Sequence, residues 1–238
     1  MGAGLLAKAV CHSALMLPDK TPSRASPLPH GLHISPWKIG CCPFSIESRS
    51  RMDALKGFKT IAGLAIFMVA LQVLNAVSGY SLLSFGLVPR TLYGLPGIFT
   101  SPFLHASFAH LSANLIPFLI LGTLVIVDGL NRFIAASAII IGLGGLLVWL
   151  FGFSGVHIGA SGWVFGLWAY ILSRAWFQHS WGNLITAIVV ALLYGGLVFG
   201  FLPRQGVSFE GHIAGAFAGF IAAKVLLSAP RNRFNAAR

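Results

Sequence analysis

Six apolar runs, separated by short polar joints, constrain this chain more than any other feature. They cover residues 61–77, 107–127, 133–153, 158–173, 184–202 and 211–227. A helix needs roughly 20 apolar residues to cross the hydrocarbon core of a bilayer. An isolated apolar strand would leave its backbone groups unpaired in lipid. Gly, Ala, Leu and Ile dominate the runs, without the two-residue alternation of a barrel strand. The pattern predicts an all-α integral membrane protein with six transmembrane helices.

Composition supports lipid as the main solvent. The chain is 56% hydrophobic and 9% charged, with a mean hydropathy of +0.83; a soluble domain carries about 25% charged residues. The net charge of +11 would suggest nucleic acid as a partner. The basic residues are scattered singly between apolar runs, however, and form no stripe with aromatics, which argues against nucleic-acid binding. Flanking charges of membrane spans explain the balance better.

Those charges also predict orientation. Arg51, Lys56 and Lys59 precede the first span, Arg132 separates the second and third, Arg174 follows the fourth, and Arg231, Arg233 and Arg238 follow the sixth. The other side holds Arg90 and Arg204. The bias places both termini in the cytosol; a bacterial plasma membrane is the expected host, with an organellar membrane as the alternative that turns on residues 1–51. An even number of spans requires the termini to share a side.

Residues 1–51 are rich in Pro, Ser and basic residues and are expected to be a disordered extension, or a stretch upstream of a true start at Met52. Residues 52–228 form the six-span domain, and 229–238 a short basic tail. Cys11, Cys41 and Cys42 read as free thiols, without zinc-like spacing to histidine. The first loop, 78–106, is long and largely apolar, so it is expected to lie in the interfacial layer and pack on the bundle.

Polar side chains within apolar runs are costly in lipid and mark candidate functional groups. His105, His110 and Asn114 surround the start of span two, Ser161 opens span four, and His212 opens span six. All lie at the same end of their helices, which the charge bias places outside. Ser161 stands in Gly159-Ala160-Ser161-Gly162, at a helix N-terminus whose free N–H groups and positive dipole suit an oxyanion. A serine in a span also commonly just bonds to its own helix backbone.

His212 shares one helix face with Gly215 and Gly219, and span four offers Gly162 and Gly166 at the same spacing. Small-xxx-small faces let helices approach until backbones touch, which would bring the histidine toward Ser161 as its base. No carboxylate is placed to orient that imidazole. Phe165, one turn below Ser161, is the expected support, so the pair reads as a dyad. His110 and Asn114, four residues apart on one face, can donate hydrogen bonds to an oxyanion or simply join helices. His105 is expected to tie the long loop to span two. Pro117, one turn below Asn114, is expected to kink span two or shift its register. The chemistry calls for no cofactor and no metal.

The strings His105-Ala-Ser-Phe-Ala-His110-Leu-Ser-Ala-Asn114, Gly159-Ala160-Ser161-Gly162 and Gly211-His212-Ile213-Ala214-Gly215 resemble those of the rhomboid intramembrane proteases, in order and across roughly residues 55–228. The resemblance implies a six-helix bundle with an amphipathic first loop, Ser161 as nucleophile, His212 as general base, and His110 and Asn114 as oxyanion stabilisers. It implies single-span membrane proteins as substrates, cut through an acyl-enzyme; a rival reading is an inactive relative that binds membrane helices. Ile98-Phe99-Thr100 stands where many members carry a Trp-Arg pair, and Phe165 where Tyr is often found.

Overall fold

The computed structural model describes residues 43–228, with side chains from Asp53 onward. Six long helices follow one another: α1 (Pro43–Val77), α2 (Phe108–Ile126), α3 (Leu130–Phe151), α4 (Ser161–Gln178), α5 (Trp181–Tyr194) and α6 (Phe209–Leu227). Among the described residues no strand forms; two isolated bridges, Leu87 with His157 and Arg204 with Val207, pin loops. The N-terminal segment before 43 and the tail after 228 lie outside the described residues, as do all three cysteines.

The helices differ in detail from the apolar runs. Helix α1 reaches back to Pro43, into the stretch expected to lack structure. Proline is favoured at a first helical position, where its missing N–H costs nothing. Five helical stretches are long and apolar enough to span a bilayer: Asp53–Val77, Phe108–Ile126, Leu130–Phe151, Trp181–Phe201 and Phe209–Leu227. The sixth, α4, is too rich in Trp, Ser and Arg to meet that criterion. It is also the central helix, packed against α2, α3, α5 and α6. Its surroundings are protein rather than lipid, so its own hydropathy matters less.

Further corrections concern particular residues. The fifth span does not stay α-helical to 202: after Tyr194 it tightens into a 3₁₀ helix, Gly195–Phe201. Gly195, Gly196 and Gly200 give this stretch poor α-helical propensity. Arg174 is not a free flanking charge. It is buried within α4 and ion-paired with Asp128. Pro117 lies inside α2, which runs from Phe108 to Ile126.

The first loop packs on the bundle. Leu87, Ile98 and Leu104 are buried, while Leu92, Tyr93, Phe85 and Phe99 stay outward. Ile98 sits against Gly145 of α3, where any side chain would collide with it. Arg90 donates from Nη1 to the Gly152 carbonyl at 2.8 Å, and the Trp149 indole donates to the Thr91 carbonyl at 2.9 Å. A guanidinium on a helix C-terminus satisfies orphan carbonyls and suits the dipole. The loop is thereby fastened to the end of α3 that leads into the Ser161 segment.

Candidate active site

The segment before α4 is held by the first loop. Leu87 and His157 exchange backbone hydrogen bonds of 3.0 and 2.8 Å, and the Gly159 N–H donates to Ser101 O at 2.9 Å. Gly159 has φ +110°, a conformation strained for any side chain, and a Cβ there would press on the His110 ring 2.8 Å away. The Ala160 N–H donates to His105 Nε2 at 3.3 Å. Burial, followed by the neighbouring His110, pushes the His105 pKa down to about 4, so the ring is neutral and free to accept. His105 therefore joins the Ser161 segment, and its carbonyl accepts from Asn75 of α1 at 3.2 Å. These links add to the expected one between loop and span two, where the His105 ring meets that of His110 edge-on with centroids 5.2 Å apart.

Ser161 is the first residue of α4. The first N–H groups of a helix have no intrahelical partner, and the helix dipole adds positive potential there. The hydroxyl thus lies beside donors suited to a developing negative charge.

His212 reaches the same place from α6 through glycine contacts. The face of Gly215 lies on the Gly162 carbonyl and that of Gly219 on the Gly166 carbonyl, so neither position has room for a Cβ. Among the described residues, α4 and α6 form the most extensive helix–helix contact. The His212 ring stacks on Phe165, with centroids 4.1 Å apart and planes within 4°. Its Nδ1 lies 2.7 Å from the Gly200 carbonyl oxygen. A carbonyl can only accept, so Nδ1 carries the proton and Nε2 keeps its lone pair.

His110, Asn114, Ser161, Phe165 and His212 all line one open cavity of ≈ 360 Å³, whose lining also includes the 3₁₀ segment and the loop through Arg204. His110 is half-buried, and Asn114, which is buried, donates from Nδ2 to the His110 carbonyl at 2.9 Å. Ser107 caps α2 by accepting from the His110 N–H at 3.0 Å, fixing where that helix begins. Pro117 cannot bond to the carbonyl of Ala113, which also lines the cavity. Among the described residues Ser161 makes no hydrogen bond to His212; such contacts often tighten only when substrate is bound.

Two residues near the site, His157 and Ser208, escaped sequence reasoning. They cluster with Glu210 where the Ser161 segment meets the start of α6. The available signal was positional: His157 precedes Ser161 by four residues, and Ser208 precedes His212 by four.

Residues 90–229 match the Rhomboid domain family. An uncharacterized protein of Mycobacterium bovis is 40% identical over 200 residues, covering 80% of this chain and 83% of its own length. An uncharacterized protein of Mycobacterium leprae is 35% identical over 200 residues, covering 80% of this chain and 79% of its own. RHOMBOID-like protein 5 of Arabidopsis thaliana is 38% identical over 129 residues, covering 50% of this chain and 41% of its own length. By fold and by these matches, this multi-pass helical membrane protein belongs to the rhomboid family.

Proposed function

We propose that the chain is an intramembrane serine endopeptidase working through a Ser161–His212 dyad. The observation that carries this reading is the single tautomer open to His212: with Nδ1–H on the Gly200 carbonyl, Nε2 is the free acceptor in the cavity that Ser161 lines. Ser161 Oγ attacks the scissile carbonyl while His212 Nε2 takes its proton. The negative charge on the carbonyl oxygen is met by the Ser161 N–H and by the His110 and Asn114 side chains. His212 then returns the proton to the departing amine. A cavity water hydrolyses the acyl-enzyme, with His212 again as base. Phe165 holds the imidazole plane in place of a carboxylate.

The substrates are single-span membrane proteins, and the bilayer is the working medium. Helix α5 packs mainly on α4 and turns most of its surface outward. A substrate helix enters between α2 and α5, unwinds, and presents its peptide bond from the outer side. Both termini face the cytosol of a bacterial plasma membrane.

The test is fluorophosphonate labelling and cleavage of a model transmembrane substrate by purified protein. Ser161→Ala should abolish labelling and lower cleavage at least roughly 10³-fold. Unchanged cleavage would overturn the protease reading, and substrate capture without cleavage by the unaltered chain would favour a helix-binding protein.

A further inference from the structure

The glycine seam brings α4 and α6 into backbone contact but is smooth. Gly162, Gly166, Gly215 and Gly219 project nothing that fixes how far one helix slides or turns on the other. The separation of the two helices is set by the seam, whereas the approach of His212 to Ser161 depends on register. Packing of α6 on α3 bears on that register, and so do side chains at the start of α6.

A pin lies four residues ahead of each side chain. The Nε2 of His157 is 2.9 Å from the Phe153 carbonyl oxygen, so it carries the proton and donates. Its Nδ1 then accepts from the Ser208 hydroxyl at 2.8 Å. Ser208 is the N-cap of α6, its oxygen accepting from the Gly211 N–H at 3.2 Å. One hydroxyl thus starts the His212 helix and bonds the segment that carries Ser161. Glu210 adds a second tie, with Oε1 accepting from the Phe153 N–H at 3.4 Å. The His157 and Glu210 side chains are only 12% and 18% exposed; the His157–Ser208 bond is partly buried, while the two bonds to Phe153 lie at the surface.

We propose that His157 and Ser208 are a positioning pair that locks α6 in register on α4 and thereby sets the approach of His212 to Ser161. The inference rests on the protease reading above. Ser208 lines the cavity beside Ser161 and His212, whereas His157 is not part of that lining; neither is assigned a step in the chemistry. Their effect is on how often the base reaches the nucleophile, so it falls on the chemical step and not on substrate binding.

The experiment measures the rate of fluorophosphonate labelling and the kcat and KM for a transmembrane substrate in four variants. His157→Asn keeps an acceptor where Nδ1 stood; His157→Gln keeps only a donor toward Phe153. His157→Ala and Ser208→Ala remove the bond from either side. His157→Ala, His157→Gln and Ser208→Ala should each lower kcat and labelling about tenfold, as expected for one lost hydrogen bond, with KM little changed. His157→Asn should restore most of the rate, and the His157→Ala/Ser208→Ala double variant should be no slower than either single one. Unchanged labelling in folded His157→Ala would overturn the pair and leave the protease reading intact. So would failure of Asn to outperform Gln, or losses that multiply in the double variant. If the unaltered protein never reacts with the probe, the protease reading fails and this inference fails with it.

Discussion

Helices α5 and α6 are both apolar, yet they are held in opposite ways. The α5 span has a mean hydropathy of 2.4 and 11% of it is buried, while α6 has 1.3 and 44%. The more hydrophobic helix is the less enclosed one. In lipid, apolarity gives a helix no reason to leave its surroundings, so packing is decided by close backbone contact. Helix α6 has glycine and alanine along its buried face, with Ala214, Gly215, Ala218, Gly219, Ala222 and Ala223 enclosed. Helix α5 buries only Ala187 and Val190. One flank of the proposed site is therefore fixed and the other is lightly attached.

The sharpest way to break this contrast is Gly215→Leu, whose side chain has no space against the Gly162 backbone. It should cost about 3 kcal/mol or more and leave little folded protein, as followed by thermal unfolding in detergent. The tight side also contains His105. Its pKa falls from 6.5 unfolded to about 4 folded, so the unfolded chain binds the extra proton between these values. Stability should be flat with respect to this group above pH 6.5 and decline as pH drops toward 4, by up to about 3 kcal/mol. Unfolding midpoints measured across that range should lose this slope in His105→Gln.

Phe165 joins the two flanks, since it stacks on His212 and meets Phe201 of the 3₁₀ segment edge-on at 5.2 Å. Phe165→Leu should reduce kcat about tenfold, in line with the worth of an aromatic contact, and Phe165→Tyr should retain it. The smallest effect is expected on the loose side. Gly195 has helical backbone angles, and open space lies where an alanine methyl would sit. Gly195→Ala should therefore change stability by no more than about 0.5 kcal/mol, in the stabilising direction. A large loss there would erase the distinction between the flanks.

Much of this arrangement was readable beforehand, for reasons that particular residues make clear. Apolar run length marks bilayer crossings because lipid leaves the backbone few alternatives. The spacing of Gly162 and Gly166 and of Gly215 and Gly219 is visible because small faces act through position alone. What stayed hidden depends on contacts distant in sequence. Asp128 neutralises Arg174 from 46 residues away. His157 meets Ser208 from 51 residues away, in a loop with no periodicity to mark it. Hydropathy also cannot register the change from α to 3₁₀ winding after Tyr194, which supplies the Gly200 carbonyl.

That carbonyl has a consequence for how the site tolerates mutation. The partner that orients His212 is main chain, so no exchange of one side chain for another deletes it. A Cβ at position 200 would instead strike Phe165 and lie 3.0 Å from His212 Nδ1. The orientation of the base is therefore genetically fragile at a glycine, where the harm comes from adding an atom and not from deleting a partner.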